Sequence, residues 1–204
     1  MKKNPEKTAQ TKEALKTAFW TLYKNKPITK ITVLDVTKLA DFNRSTFYQY
    51  FPDVYAVLDE IENDVIQDWE LAFSSIPFSK AIKLGANKEL IDTVAAFYDK
   101  NGEYISVLFG AEGDPSFIQR MKDTMRPKIF SLFHVAEDNI EFTLLFEFFS
   151  TGMLAYLTAW HRNAVHIPPQ NAIALIHSIF AGEGLKVFLL GGKKWNTTET
   201  VATP

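Results

Sequence analysis

Residues 32–51 read TVLDVTKLADFNRSTFYQYF, two short helices joined by a tight turn. Thr32 precedes an apolar run and Asp35 stands three residues later. That is the geometry of a capping box, with Asp in place of the usual Glu or Gln. Val33, Val36 and Leu39/Ala40 recur at helical spacing and make one buried stripe. Asp41-Phe42-Asn43 ends this helix, because Asp tolerates a left-handed turn conformation and Asn43 is a good N-cap for the next helix. In that second helix Asn43, Tyr50 and Phe51 fall within about 60° of Phe47 and form an inner face. Ser45 and Gln49 stand opposite, flanked by Thr46 and Tyr48, and Arg44 reaches outward from the N-terminal edge. Small or planar hydrogen-bonding side chains plus one arginine make a poor core face. They suit base edges and phosphates in a major groove. Helix, short turn and helix is the helix-turn-helix arrangement.

The charge distribution agrees. Residues 1–50 hold nine Lys and one Arg against two Glu and two Asp, a net +6, while the remainder carries −8. A basic module on an acidic body fits a DNA-binding head, although the overall pI is near 6.1. The 204 residues are 47% hydrophobic, enough for one or two domains with a sizeable core. There are no cysteines, which excludes disulfides and thiolate metal sites. The opening MKKNPEKTAQTKE has no apolar signal region, and no apolar run approaches the ~20 residues that span a bilayer. A soluble cytoplasmic protein without membrane association is the expectation.

Outward from the helix-turn-helix, the periodicity predicts helices throughout. A first helix runs from about Thr8 or Thr11 to Asn25, with Leu15, Ala18/Phe19 and Leu22 inward. A fourth helix runs from Pro52 to Ser75, long enough to belong to both halves of the chain. A break follows at Ser75-Ile76-Pro77-Phe78, and residues 79–85 are ambiguous. Asn87–Asn101 reads as a helix stopped by Asn101-Gly102, and Glu103–Gly110 as a short helix or turn. Pro115–Ala136 is a helix interrupted by Pro127. Ile140 to about Asn163 is apolar almost all round, which predicts burial in a core or between subunits. Pro168-Pro169 starts a last helix to about Leu190, followed by a frayed tail. The fold class is all-α: an N-terminal three-helix helix-turn-helix domain, residues 1–51, then a larger helical ligand-binding and dimerisation domain, residues 52–204.

Ile31-Thr32-Val33, Val36, Ala40, Arg44-Ser45-Thr46-Phe47-Tyr48 and Tyr50-Phe51 together resemble the TetR family of bacterial transcriptional regulators. The motif-level resemblance covers roughly residues 8–65. It implies a homodimer formed through the last two long helices, a pseudo-palindromic DNA operator, and a small-molecule effector that shifts the fourth helix. Two positions depart from the family pattern: Asp41 stands where Gly is frequent, and Val54 where Lys is frequent.

Arg44, Ser45 and Gln49 are the candidates for base contacts, and Lys30, Thr32, Thr46 and Tyr48 for phosphate contacts. Trp69, Phe97, Met121 and Tyr156 are the candidate ligand-pocket residues, chosen among the aromatics of the middle helices. His134, His161, His166 and His177 lack metal-pair spacing. No phosphate-binding glycine motif or nucleophile elbow is present, and Gly182-Glu183-Gly184 reads as close helix packing. Neither an enzyme nor a cofactor is expected. The other reading is a co-regulator of the same fold that acts through a protein partner.

Overall fold

The computed structural model describes residues 5–75, 88–110, 113–162, 167–168, 171–172 and 175. The described residues are helical, with no strand among them: α1 (Pro5–Tyr23), a 3-10 turn (Ile28–Lys30), α2 (Val33–Leu39), α3 (Arg44–Tyr48), α4 (Val54–Ser75), α5 (Lys88–Leu108), α6 (Pro115–Leu132) and α7 (Ile140–Arg162). The expected break at Ile76–Phe78, residues 79–85, the bulk of the last helix, Gly182–Gly184 and the C-terminal tail lie outside the described residues. The chain divides into two compact units, residues 1–67 and 68–204, and the division falls inside α4.

In the N-terminal unit, the apolar spacing of α1 puts Leu15, Ala18, Phe19, Trp20 and Tyr23 inside. They share the core with Val36 of α2, Phe47 and Phe51 around α3, and Val57, Leu58, Ile61 and Val65 of α4. Lys12 pairs with Glu60, and Lys16 with Asp64 at 2.5 Å, so two ion pairs tie α1 to α4. Burial works against the charge on Lys16. Its bonds to Asp64 and Glu13 outweigh that, and its ammonium pKa ends above the ordinary value.

The capping box forms as the spacing predicts. Asp35 N donates to Thr32 Oγ1 at 3.1 Å and Thr32 N donates to Asp35 Oδ2 at 3.0 Å. Lys26 Nζ adds a bond to the same carboxylate oxygen at 3.1 Å. The Thr32 backbone bond, with Lys26 beside it, holds the Asp35 carboxyl below its ordinary 3.8. A lowered carboxyl pKa contributes stability above the unfolded value that is lost as pH falls through the folded one. The box is therefore a neutral-pH device that fails in acid.

At the other end of α2, Asp41 has φ 56°, and Phe42 N donates to Thr37 O at 2.9 Å. This is the six-to-one bond of a Schellman C-cap, whose left-handed residue is usually Gly. Asp41→Gly removes the side-chain cost of that conformation and is expected to stabilise the unit by about 0.5–1 kcal/mol, read as a raised midpoint in urea. A lowered midpoint would mean that the Asp41 side chain contributes more than its backbone costs.

α4 begins later than expected. Pro52 lies before the helix, and Asp53 caps it by accepting from Ala56 N at 2.9 Å. In the second unit, α5 runs without a break through Asn101-Gly102, where a stop was expected. Asn101 is 3% exposed, and its amide donates to Phe97 O one turn back. Bonded within its own helix, it no longer competes with the backbone as a solvent-facing Asn would. α6 likewise runs through Pro127. It ends with His134 at φ 54° and Val135 N bonded to Phe130 O at 3.0 Å, a second Schellman cap.

The core of this unit is aromatic. Trp69 packs edge-on to Phe97 at 5.1 Å, Tyr98 to Trp160 at 4.7 Å, and Phe130 to Phe142 at 4.9 Å. α7 departs from all-round burial. Phe146, Ser150, Leu154, Leu157 and Trp160 are buried, while Leu144, Leu145 and Phe148 are exposed. By length and composition alone Ile140–Trp160 could cross a membrane. Its Glu147 is paired with Lys122 of α6, and one face is packed in the unit's core.

Candidate nucleic-acid interface

The seven predicted DNA contacts lie along one run of the N-terminal unit. Lys30 closes the 3-10 turn, Thr32 caps α2, and Arg44 to Tyr48 make up α3, with Gln49 as its C-cap. Six of them are exposed; Thr46 is half-buried. Beneath them Phe47 is 0% exposed and Phe51 2%. The two rings pack at 5.8 Å, and Tyr48 stands edge-on to Phe47 at 5.7 Å. Tyr50 is half-buried, but Asn43 is exposed rather than part of the inner face, because α3 is a single turn.

Asn43 has a different task. Its Oδ1 accepts from Thr46 N at 2.8 Å, Ser45 Oγ at 2.6 Å and Thr46 Oγ1 at 2.9 Å. One capping oxygen thus orients two hydroxyls of the candidate reading surface. With their protons engaged, Ser45 and Thr46 present lone pairs outward and suit the amino groups of adenine or cytosine. Thr46 would have to exchange its bond to Asn43 before donating to a phosphate. The Thr32 hydroxyl accepts from Asp35 N and also bonds the Asp35 carboxylate, so it too would exchange a partner before donating to a phosphate. Arg44 is exposed at the first position of α3, where a cation gains nothing from the helix dipole. Val54, at the position of the family's frequent Lys, is 6% exposed and belongs to the core.

The candidate ligand residues are placed differently. Trp69, Phe97 and Met121 are 7%, 6% and 2% exposed. Trp69 and Phe97 pack on each other, and the Tyr156 hydroxyl donates to Ala172 O at 2.8 Å. Burial raises the Tyr98 hydroxyl pKa far above the ordinary tyrosine value, and burial also raises that of Tyr156. An open hollow of about 340 Å³ is lined by Phe109, Ile118, Thr151, Leu154, Ala155, Thr158 and Ala159, none of which was predicted. The signal for it was the small residues at 151, 155 and 159 on a helix otherwise rich in Phe and Leu. Among the described residues no cluster of three or more His, Asp or Glu is placed to hold a metal.

A TetR family model, described as a transcriptional regulator C-terminal region, matches residues 88–182. That stretch, a little under half of the chain, is similar to the C-terminal region of TetR-type transcriptional regulators. Two solved structures share its fold. The TetR transcriptional regulator from Streptococcus agalactiae 2603V superposes with a TM-score of 0.59 at 20% identity, covering 85% of this chain and 95% of that one. A TetR-family transcriptional regulator from Streptomyces coelicolor gives 0.56 at 15% identity, covering 84% and 81%. No curated protein matches. The family model covers residues 88–182, while the helix-turn-helix stands on its own capped geometry.

Proposed function

We propose that this chain is a TetR-type regulator that binds a pseudo-palindromic operator as a homodimer, with residues 1–51 as the head and residues 52–204 as the effector and dimerisation part. The single observation that carries the reading is the exposed row of Arg44, Ser45, Tyr48 and Gln49 fixed over buried Phe47. Solvent-facing polar groups on a helix seated on a buried ring, with Ser45 held by the Asn43 cap and Tyr48 by its edge-on contact with Phe47, are what base reading requires. Repression by excluding polymerase is the default sign. Arg44→Ala and Gln49→Ala are each expected to cost about 1–3 kcal/mol at the operator and to relax base preference, while Lys30→Ala weakens all sequences alike and lowers the salt slope. Gel-shift titrations on the protein's own promoter region and on random DNA measure this. Equal losses on both DNAs after Gln49→Ala would contradict base reading.

Effector control is assigned to the Trp69–Phe97 contact, because Trp69 is on α4 and a molecule entering there moves that helix. Trp69→Ala with Met121→Ala is expected to abolish release of the operator by whatever molecule causes it in the wild type, followed by anisotropy of labelled DNA. An unchanged response would remove these residues from the site. The exposed apolar face of α7 favours a second reading, in which control comes from a protein partner. Operator binding that is weak in pure protein and restored by a cell extract would move the assignment there.

A further inference from the structure

Two threonines of α7, Thr151 and Thr158, both line the hollow of about 340 Å³. They are seven residues apart, so they lie within about 20° of each other around the helix and about 10 Å apart along its axis. Between and around them the walls are apolar: Leu154 and Ala155 of α7, Ile118 of α6, and Phe109 just past the end of α5. A volume of this size, with an apolar wall and very few polar groups, is the make-up of a small-molecule site.

The two hydroxyls are not alike. Thr158 Oγ1 donates to Leu154 O at 2.9 Å, so its proton is engaged and its lone pairs are left to accept. Thr151 Oγ1 accepts from Lys122 Nζ at 3.2 Å, which leaves its proton to donate. The ammonium draws charge from that oxygen and makes the hydroxyl a stronger donor. The hollow thus has a donor at one end and an acceptor at the other. Its charge preference follows from the same residues. Lys122 is buried and already paired with Glu147, so no net positive charge remains to hold an anion. A carboxylate entering at Thr151 would lose hydration one turn away from the Glu147 carboxylate, and both effects disfavour it.

We propose that the hollow binds a neutral, elongated, mostly apolar molecule with a carbonyl at the Thr151 end and a hydroxyl at the Thr158 end. The site is distinct from the Trp69–Phe97 contact assigned above, and its occupation needs neither DNA nor a second copy, so its failure would leave the operator reading untouched. The probe is para-hydroxybenzylideneacetone, which carries a ketone and a phenol hydroxyl at opposite ends of a flat apolar body. Benzylideneacetone lacks the hydroxyl, and para-hydroxycinnamate has a carboxylate in place of the ketone. Calorimetric titration of the full-length protein is expected to show binding of the probe, with affinity about tenfold lower for benzylideneacetone and lower by at least as much for the carboxylate. Thr151→Val is expected to weaken the probe about tenfold, while Thr151→Ser, which keeps the hydroxyl, holds it within about threefold. Thr158→Val is expected to weaken the probe by a similar factor and to leave benzylideneacetone unchanged, because that molecule has no donor for Thr158 to meet. Absence of binding by all three compounds would overturn the proposal, as would probe affinity that none of the threonine substitutions alters. Tightest binding by the carboxylate would mean that the Lys122 charge governs the site and would overturn the neutral ligand class. Probe affinity that falls as protein concentration rises would mean that a second copy covers the hollow, and would overturn it as a ligand site.

Discussion

Phe47→Ala is expected to unfold the N-terminal unit. Phe47 is fully buried, and it is the only buried residue of the five-residue α3. Truncating a buried Phe costs about 3–5 kcal/mol through lost burial and the cavity left behind. Native stability is only about 0.05–0.15 kcal/mol per residue, so a unit of residues 1–67 has little margin. Hydrogen exchange would show amides of residues 31–51 losing protection, with those of 97–130 in the second unit retaining theirs. Operator binding should disappear on all DNA, in contrast to Gln49→Ala, which alters preference in a folded protein. Retained protection across α3 would mean that the unit's other apolar contacts hold the reading helix without this ring.

Glu147→Ala is expected to destabilise the second unit more than Lys122→Met, although both break the same ion pair. Lys122 is 7% exposed, and its ammonium donates to Glu147 and, at 3.2 Å, to Thr151 Oγ1. The Glu147 side chain is 42% exposed. Removing the carboxylate strands a buried cation with one hydroxyl, a loss of about 2–3 kcal/mol, less than for a fully buried pair because Glu147 is partly in water. Removing the lysine leaves a carboxylate that hydrates, and Met fills the vacated volume, so the cost is within about 1 kcal/mol. Urea midpoints of the two single variants decide the order. The reverse order would show that the interior around Lys122 admits water.

The helix-turn-helix was legible because its determinants are local. Thr32 and Asp35 cap within four residues, Asn43 caps α3, and Phe47 and Phe51 differ in polarity from everything between them. The Asn101-Gly102 stop was misread for the converse reason. Both residues are helix-ending signals in water, but here both are buried, and burial is decided by helices distant in sequence. α7 was half legible. All-round apolarity announces that no face is meant for water, but it does not distinguish a core from an uncovered interface. The Trp69 and Phe97 pairing was equally hidden, since an aromatic at helical spacing looks the same whether it lines a pocket or fills it. Lys122 gave no sign of being buried, because its carboxylate partner lies on another helix, 25 residues away.

Under the operator-binding proposal, the brevity of α3 has a consequence for the DNA site. Five residues rise about 7–8 Å along the axis, and successive base pairs of a duplex lie about 3.4 Å apart. One reading turn therefore faces only two or three base pairs, a word that recurs by chance throughout any genome. In the homodimer proposed above, the rarer quantity is the interval between two such words. An operator of this kind acts mainly as a ruler. Inserting one base pair between its halves, which rotates one half about the duplex by roughly a tenth of a turn, should be less tolerable than changing a letter in either half.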